Sequence, residues 1–309
     1  MKVLVTGADG FAGRHLCVHL RECGDEVVEL HGPRAADLSS SGRHLDLTDE
    51  AALRDVVDET QPEGVIHLAA FSSIVKSHAH PARAFAVNAL GTTNLLAAVR
   101  DRCPTARVLL VGSCEVYGPL AGGVRVTEAS PLQPVSPFAA SKVSAELMAG
   151  LFHRSYGLQV VLARPFNHLG AGQEPTFAVP SFAAQLRAIA RGDREPVLRV
   201  GNLDPVRDYT HVWDMVAGYR LLLREGVAGE AYNLCSGEGH SLRSVLDEML
   251  ALSGVRVRLE LDPTRLRPAE ISRLVGVADR ARALGWAPQR TLTEALSDAL
   301  GRPVAVATP

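Results

Sequence analysis

The segment Thr6-Gly7-Ala8-Asp9-Gly10-Phe11-Ala12-Gly13 places glycines at every third position, directly after the apolar run Lys2–Thr6 and before the amphipathic stretch Phe11–Cys23. In a strand, turn and helix each glycine has its own task. Gly7 allows the tight turn, Gly10 lets the backbone approach a pyrophosphate with no Cβ in the way, and Gly13 lets helix and strand pack closely. The first helical amides, around Phe11 and Ala12, then face the phosphates with the positive end of the helix dipole behind them. The chemistry implied is dinucleotide binding. Which dinucleotide is read at the end of the second apolar run, Glu29-Leu30-His31-Gly32-Pro33-Arg34. An acid there accepts from the ribose 2′-hydroxyl and repels a 2′-phosphate. Hydrophobic register puts His31 at the tip and Arg34 within reach of a 2′-phosphate, so NADP(H) is preferred and NAD(H) stays possible. Glu29 is the competing assignment, and Arg34 read plainly is a solvated loop charge. Asp46-Leu47 is placed either to contact adenine or to lead into a helix.

The elements that must hold these residues follow from an alternation of short β-branched runs with longer helical patterns, the signature of βαβ units around a parallel sheet. The runs Lys2–Thr6, Glu26–Leu30, Gly64–Leu68, Val108–Val111 and Gln159–Ala163 are apolar at nearly every position, as strands covered on both faces should be. Helices are predicted near Phe11–Cys23, Glu50–Thr60, Ala82–Arg100 and Ser136–Tyr156. After about Pro165 the alternation loosens. The fold class expected is therefore α/β, a doubly wound Rossmann sheet with a smaller α/β C-terminal lobe. Residues 1–166 form the first domain, with 207–236 returning to it, and 167–309 the second.

Composition sets bounds on partners. The 309 residues are 47% hydrophobic with a formal charge of −2, enough apolar material for a large core and no basic stripe for nucleic acid. The opening MKVLVTGADG is too short for a signal or a membrane span, so a cytoplasmic protein without a membrane partner is expected. Cys17, Cys23, Cys103, Cys114 and Cys235 form no CxxC pair, which fits reduced thiols and no metal site.

The glycine motif, His67-Leu68-Ala69-Ala70, Asn88, Ser113-Cys114-Glu115-Val116-Tyr117-Gly118 and Ser136-Pro137-Phe138-Ala139-Ala140-Ser141-Lys142 together resemble the extended short-chain dehydrogenase/reductase family. The resemblance runs essentially the whole length. Arg164-Pro165-Phe166-Asn167-His168, Val200 to Asp208 and Leu266-Arg267-Pro268-Ala269-Glu270 are most similar to its GDP-4-keto-6-deoxy-mannose reductases, which form GDP-rhamnose, and to the related GDP-mannose 4,6-dehydratases. It implies cofactor contacts at Leu68, Ala69, Ala70 and Lys142. The family carries Tyr-x-x-x-Lys, in which an ammonium one helical turn away lowers a phenol from its usual pKa of ~10 so that it shuttles a proton at neutral pH. Ser113 would hydrogen-bond the same substrate oxygen.

Phe138 stands where that tyrosine belongs, four residues before Lys142. The nearest alternative, Tyr117, belongs to a separate turn. The favoured explanation is a Tyr→Phe change that leaves an otherwise working site inactivated or trapping its substrate; the other is a site that has naturally lost or rerouted its proton transfer. Only Lys2, Lys76 and Lys142 are lysines in a chain otherwise using Arg, which supports a need for a compact ammonium at Lys142. Glu115 resembles the dehydratase base at the sugar C5, so 4,6-dehydration or 4-epimerisation remains open beside reduction, as does a non-catalytic nucleotide-sugar-binding protein. For the sugar nucleotide the resemblance implies Asn167, Val179, Arg207, Arg267 and Glu270. The two arginines would hold a diphosphate and Glu270 the guanine N1–H and N2–H, which favours a GDP-sugar. It also implies a homodimer through Rossmann-domain helices, including the one bearing Lys142.

Overall fold

The computed structural model describes residues 1–33, 43–120, 123–266 and 271–302. The chain starts with β1 (Lys2–Thr6), α1 (Phe11–Glu22), β2 (Glu26–His31), β3 (Arg43–His44), α2 (Glu50–Thr60) and β4 (Gly64–His67). It continues through α3 (Ile74–Ala79), α4 (Pro81–Phe85), a π-helical turn (Ala86–Leu90), α5 (Gly91–Arg102), β5 (Arg107–Val111), a 3-10 turn (Cys114–Tyr117), α6 (Pro137–Tyr156) and β6 (Gln159–Pro165). Then come β7 (Asn167–Leu169), α7 (Ala178–Ala190), β8 (Val197–Val200), β9 (Val206–Arg207), β10 (Tyr209–His211), α8 (Val212–Glu225) and β11 (Ala231–Leu234). The last elements are β12 (His240–Ser241), α9 (Leu242–Ser253), β13 (Arg258–Leu261), β14 (Arg273–Leu274), α10 (Asp279–Ala283) and α11 (Leu292–Ala299).

Seven strands form one parallel sheet in the order β11-β6-β5-β4-β1-β2-β3, the doubly wound arrangement expected. β11 arrives from beyond β7–β10, pairing Ala231 with Leu162 and Leu234 with Pro165. α8, just before it, packs on α1 and on β4, β5 and β6. The strands are apolar at successive positions because both faces are covered: Val3, Leu4, Val5, Val65, Ile66 and Leu109 are wholly buried, each contributing roughly 1.5–3 kcal/mol. One core lies under α1 and α8 and another under α2, α5 and α6.

The helix expected over Ala82–Arg100 runs from Pro81 to Arg102, with α4, the π turn and α5 in direct succession. Pro81 starts the first, and the wider turn at Ala86–Leu90 falls around Asn88. α6 begins at a true cap, Ser136 Oγ accepting from the Ala139 N–H at 3.1 Å, with Pro137 at the first helical position. Its buried stripe, Phe138, Ser141, Lys142, Ala145, Glu146, Ala149 and Phe152, follows the helical period, so the polar groups it carries inward face the sheet. A third core, built by Phe182, Leu198, Val245, Met249 and Leu296 among others, holds α7, β8, α9 and α11 together.

Candidate active site

The turn after β1 shows why its glycines are needed. Gly7 has φ +69°, and a Cβ there would stand 2.8 Å from the Ala69 backbone; one on Gly13 would stand 2.1 Å from the Gly7 carbonyl oxygen. Gly10 N–H donates to that oxygen at 3.0 Å. Gly10 is also the α1 N-cap, with no side-chain cap and no acid in the first turn, so the amides of Phe11, Ala12 and Gly13 remain open to an anion. The neighbouring strand tips are pinned by a buried chain of hydrogen bonds. Thr92 donates to the Asn88 carbonyl at 2.5 Å and accepts from His67 Nε2 at 3.0 Å, leaving His67 Nδ1 to accept from the Thr6 hydroxyl at 2.6 Å. Thr6 Oγ1 accepts in turn from the Ala69 N–H at 3.2 Å. Burial, with the Lys142 charge, brings His67 down to about 3, so the imidazole stays neutral.

A cleft of about 190 Å³ opens beside this turn. It brings together Gly7, His31, Asp46, Leu47, Ala69 and Ala70 from the residues singled out by sequence. Leu68 instead packs against the core under α1. Glu29, the rival to His31, points to Arg21 at 2.6 Å and to His31 Nε2 at 3.0 Å and does not line the cleft. Arg34 lies outside the described residues. Arg83, on α4, lines the cleft and was missed by sequence reading, since a lone arginine on a short helix gives no local signal.

The second half of the site gathers at the tip of β5. Phe138 is buried, its N–H donating to the Ser77 hydroxyl at 3.2 Å; it offers no polar side-chain atom. One turn on, Lys142 is only 5% exposed and donates from Nζ to the Val111 carbonyl at 2.8 Å. Burial lowers its pKa to about 8 against the upward pull of Glu146. Ser113, two residues past Val111, caps the 3-10 turn by accepting the Glu115 N–H at 3.2 Å, so Glu115 stands at the same strand end. Asn88 joins the halves. Its Oδ1 accepts from Phe71 N–H at 2.7 Å and its Nδ2 donates to Ser141 Oγ at 2.9 Å, while Ser141 donates to the Phe138 carbonyl at 2.7 Å.

Tyr117 does not offer its phenol to this cluster. Its ring is wholly buried, and its hydroxyl donates to Asn233 Oδ1 at 2.6 Å and accepts from Arg164 at 3.0 Å. Burial pushes it up to about 12 despite Arg164. Beneath it, Arg164 grips Glu146 through contacts of 2.8 to 3.2 Å. Gly112 is required here, because a Cβ would stand 2.6 Å from Glu146 Oε1. Sequence reading missed this pair, whose members lie 18 residues apart on a helix and a strand.

Of the substrate-side candidates, Asn167 begins β7 and donates to the Asp208 carbonyl at 3.4 Å. The Val179 side chain packs into the third core, but its N–H sits in the first turn of α7, whose N-cap Phe177 offers no side-chain acceptor. Arg207 is 8% exposed and donates to the Val206 carbonyl at 3.0 Å; among the described residues no carboxylate lies within ion-pairing distance of it. The adjacent Asp208 is wholly buried and holds the loop opposite, accepting from Ser236 N–H and Oγ, Gly237 N–H and Gly276 N–H at 2.6 to 3.3 Å. Arg267 and Glu270 lie outside the described residues.

This geometry has close counterparts. A family model described as GDP-mannose 4,6 dehydratase matches residues 4–299. The GDP-6-deoxy-D-mannose reductase of Pseudomonas aeruginosa is 34% identical over 96% of this chain and 94% of its own. The structure of RMD from Pseudomonas aeruginosa complexed with NADPH superposes with a TM-score of 0.87 at 33% identity, covering 97% and 98% of the two chains. The UDP-glucose 4-epimerase of Thermus thermophilus, in complex with NAD, gives 0.87 at 30% identity over 98% of each. The chain is a member of the GDP-mannose 4,6-dehydratase family of extended short-chain dehydrogenases/reductases, within the lineage of nucleotide-sugar oxidoreductases.

Proposed function

We propose that this chain belongs to the NAD(P)H-dependent reductases of the 4-keto group of GDP-4-keto-6-deoxy-D-mannose, with its proton-donor position held by Phe138. The observation that carries the sugar-nucleotide reading is Arg207. Among the described residues no carboxylate pairs with its buried guanidinium, an unfavourable state unless an anion joins it, and a diphosphate is the anion its fork matches. The reductase assignment draws on the Pseudomonas aeruginosa relative. The glycine turn, the open α1 amides and the cleft with Asp46 and Leu47 fit a dinucleotide. His31 rather than Glu29 in that cleft supports NADP(H), with NAD(H) possible.

The bound nicotinamide supplies hydride for the sugar C4. Ser113 orients the ketone oxygen, and Lys142 places an ammonium beside the position that would deliver the proton. Phe138 keeps the shape of that position and removes the donor, so turnover falls by about 10²–10⁴ while binding survives. Asn167, the first turn of α7 at Val179 and Arg207 hold the nucleotide sugar; Arg267 and Glu270 are proposed to complete its diphosphate and guanine contacts. Residues 1–166 with 207–236 act as the dinucleotide unit and the remainder of 167–309 as the sugar lobe. Phe85 and Leu90, together with Leu147 and Leu151 of α6, are large apolar side chains left exposed, which supports a homodimer through these helices. The near-neutral charge favours a small-molecule substrate over nucleic acid, and the free cysteines, Cys17, Cys23, Cys103, Cys114 and Cys235, favour a reducing compartment such as the cytoplasm.

The test is Phe138→Tyr, assayed by NADPH oxidation with GDP-4-keto-6-deoxy-D-mannose. A rise of about a hundredfold or more supports the reading; no gain over Phe138 removes it. Glu115 at the β5 tip favours a second reading, 4,6-dehydration or 4-epimerisation, which predicts product without net cofactor consumption. Titration with GDP-mannose against UDP- and dTDP-glucose decides the base.

A further inference from the structure

The cleft beside the glycine turn is a narrow apolar slot walled by Leu30, Leu45, Leu47 and Val87. At one end Asp46 Oδ1 accepts from the Thr48 N–H at 3.0 Å and the Thr48 hydroxyl at 2.8 Å. These bonds hold the carboxyl below its ordinary range, helped by the charge of Arg83. Arg83 is exposed on α4 and completes the lining. Among the described residues it makes no ion pair, although it feels the Asp46 carboxylate. It is therefore a planar, solvent-exposed cation lining an apolar slot.

We propose that Arg83 is an adenine-capping residue, laying its guanidinium over the purine face while the leucines support the other side. The inference rests on the reading that this cleft takes the adenine half of a dinucleotide. Asp46 decides between a ring and a phosphate as the group Arg83 meets: an anion brought there would also meet that carboxylate, whereas a neutral ring is not repelled. A guanidinium over an aromatic face near solvent is worth about two- to fivefold in affinity.

The experiment is calorimetric titration of the whole protein and its Arg83→Ala and Arg83→Lys variants with 5′-AMP, 2′,5′-ADP and reduced nicotinamide mononucleotide. Expected is an equal loss of about fivefold for both adenine nucleotides in Arg83→Ala, with the mononucleotide unchanged. Arg83→Lys, which keeps the charge but not the plane, should stay within about twofold of Arg83→Ala. Loss confined to 2′,5′-ADP, full recovery by lysine, or no change overturns the proposal. Failure of the unaltered protein to bind either adenine nucleotide overturns the cofactor reading itself, and is seen before any variant is compared.

Discussion

Replacing Glu146 by Gln removes one charge from the Arg164–Glu146 pair and leaves its shape. Arg164 and Glu146 are only 6% and 5% exposed, so the guanidinium left behind has little water to turn to. It would keep the Tyr117 hydroxyl at 3.0 Å and the Glu128 carbonyl at 3.1 Å, but the three contacts to Glu146 would become contacts to a neutral amide. Breaking a buried pair from one side costs about 3–5 kcal/mol. The loss should be read as a lowered midpoint in urea unfolding at pH 7, at unchanged slope. Removing both charges, Glu146→Leu with Arg164→Met, should recover most of it, because no uncompensated charge then remains. A Glu146→Gln variant within about 1 kcal/mol of the parent, or a double variant worse than the single, would refute the argument that desolvation governs this pair.

Further expectations concern the site itself. Gly13→Ala puts a Cβ 2.1 Å from the Gly7 oxygen, and the forced shift of the turn should destabilise by roughly 1–3 kcal/mol and weaken NADPH binding in calorimetry. Lys142 is depressed from 10.5 to about 8, so between those values the unfolded chain binds the extra proton and stability rises with pH. The burial penalty is thus fully present below about 8 and relieved toward 10.5, and Lys142→Met should exceed the parent in stability at pH 7 with the gap closing by pH 10.5 in paired unfolding curves. Arg207→Met should abolish preference for GDP-sugars over free sugars in titration while leaving the unfolding midpoint unchanged or raised. A variant that binds GDP-mannose as the parent does would exclude Arg207 from the diphosphate site.

Local chemistry was legible wherever the responsible residues lie close in the chain. The glycine spacing fixed the turn between β1 and α1, and Phe138 and Lys142 one helical turn apart fixed their common face on α6. β11 was not among the strands read from sequence: Ala231–Leu234 is short, and its place in the sheet comes from pairing with β6, which lies far earlier in the chain. The single helix expected around Asn88 starts at Pro81 and runs unbroken to Arg102, but it widens at a π turn that swings Asn88 toward Phe71 and Ser141, which no local pattern showed.

The sequence by itself determined the parallel sheet, the glycine turn and the placing of Phe138 four residues before Lys142, because each depends on periodicity or on residue identity within a few positions. Only the tertiary structure decided that Glu29 turns to Arg21 while His31 faces the cleft, that Arg83 joins it, that Tyr117 is locked away by Asn233 and Arg164, and that Arg207 is buried with no acid paired to it among the described residues. The reason is physical: burial and partner choice are set by which distant segments meet, and the cost of a charge or a hydroxyl depends on that meeting rather than on its neighbours in sequence.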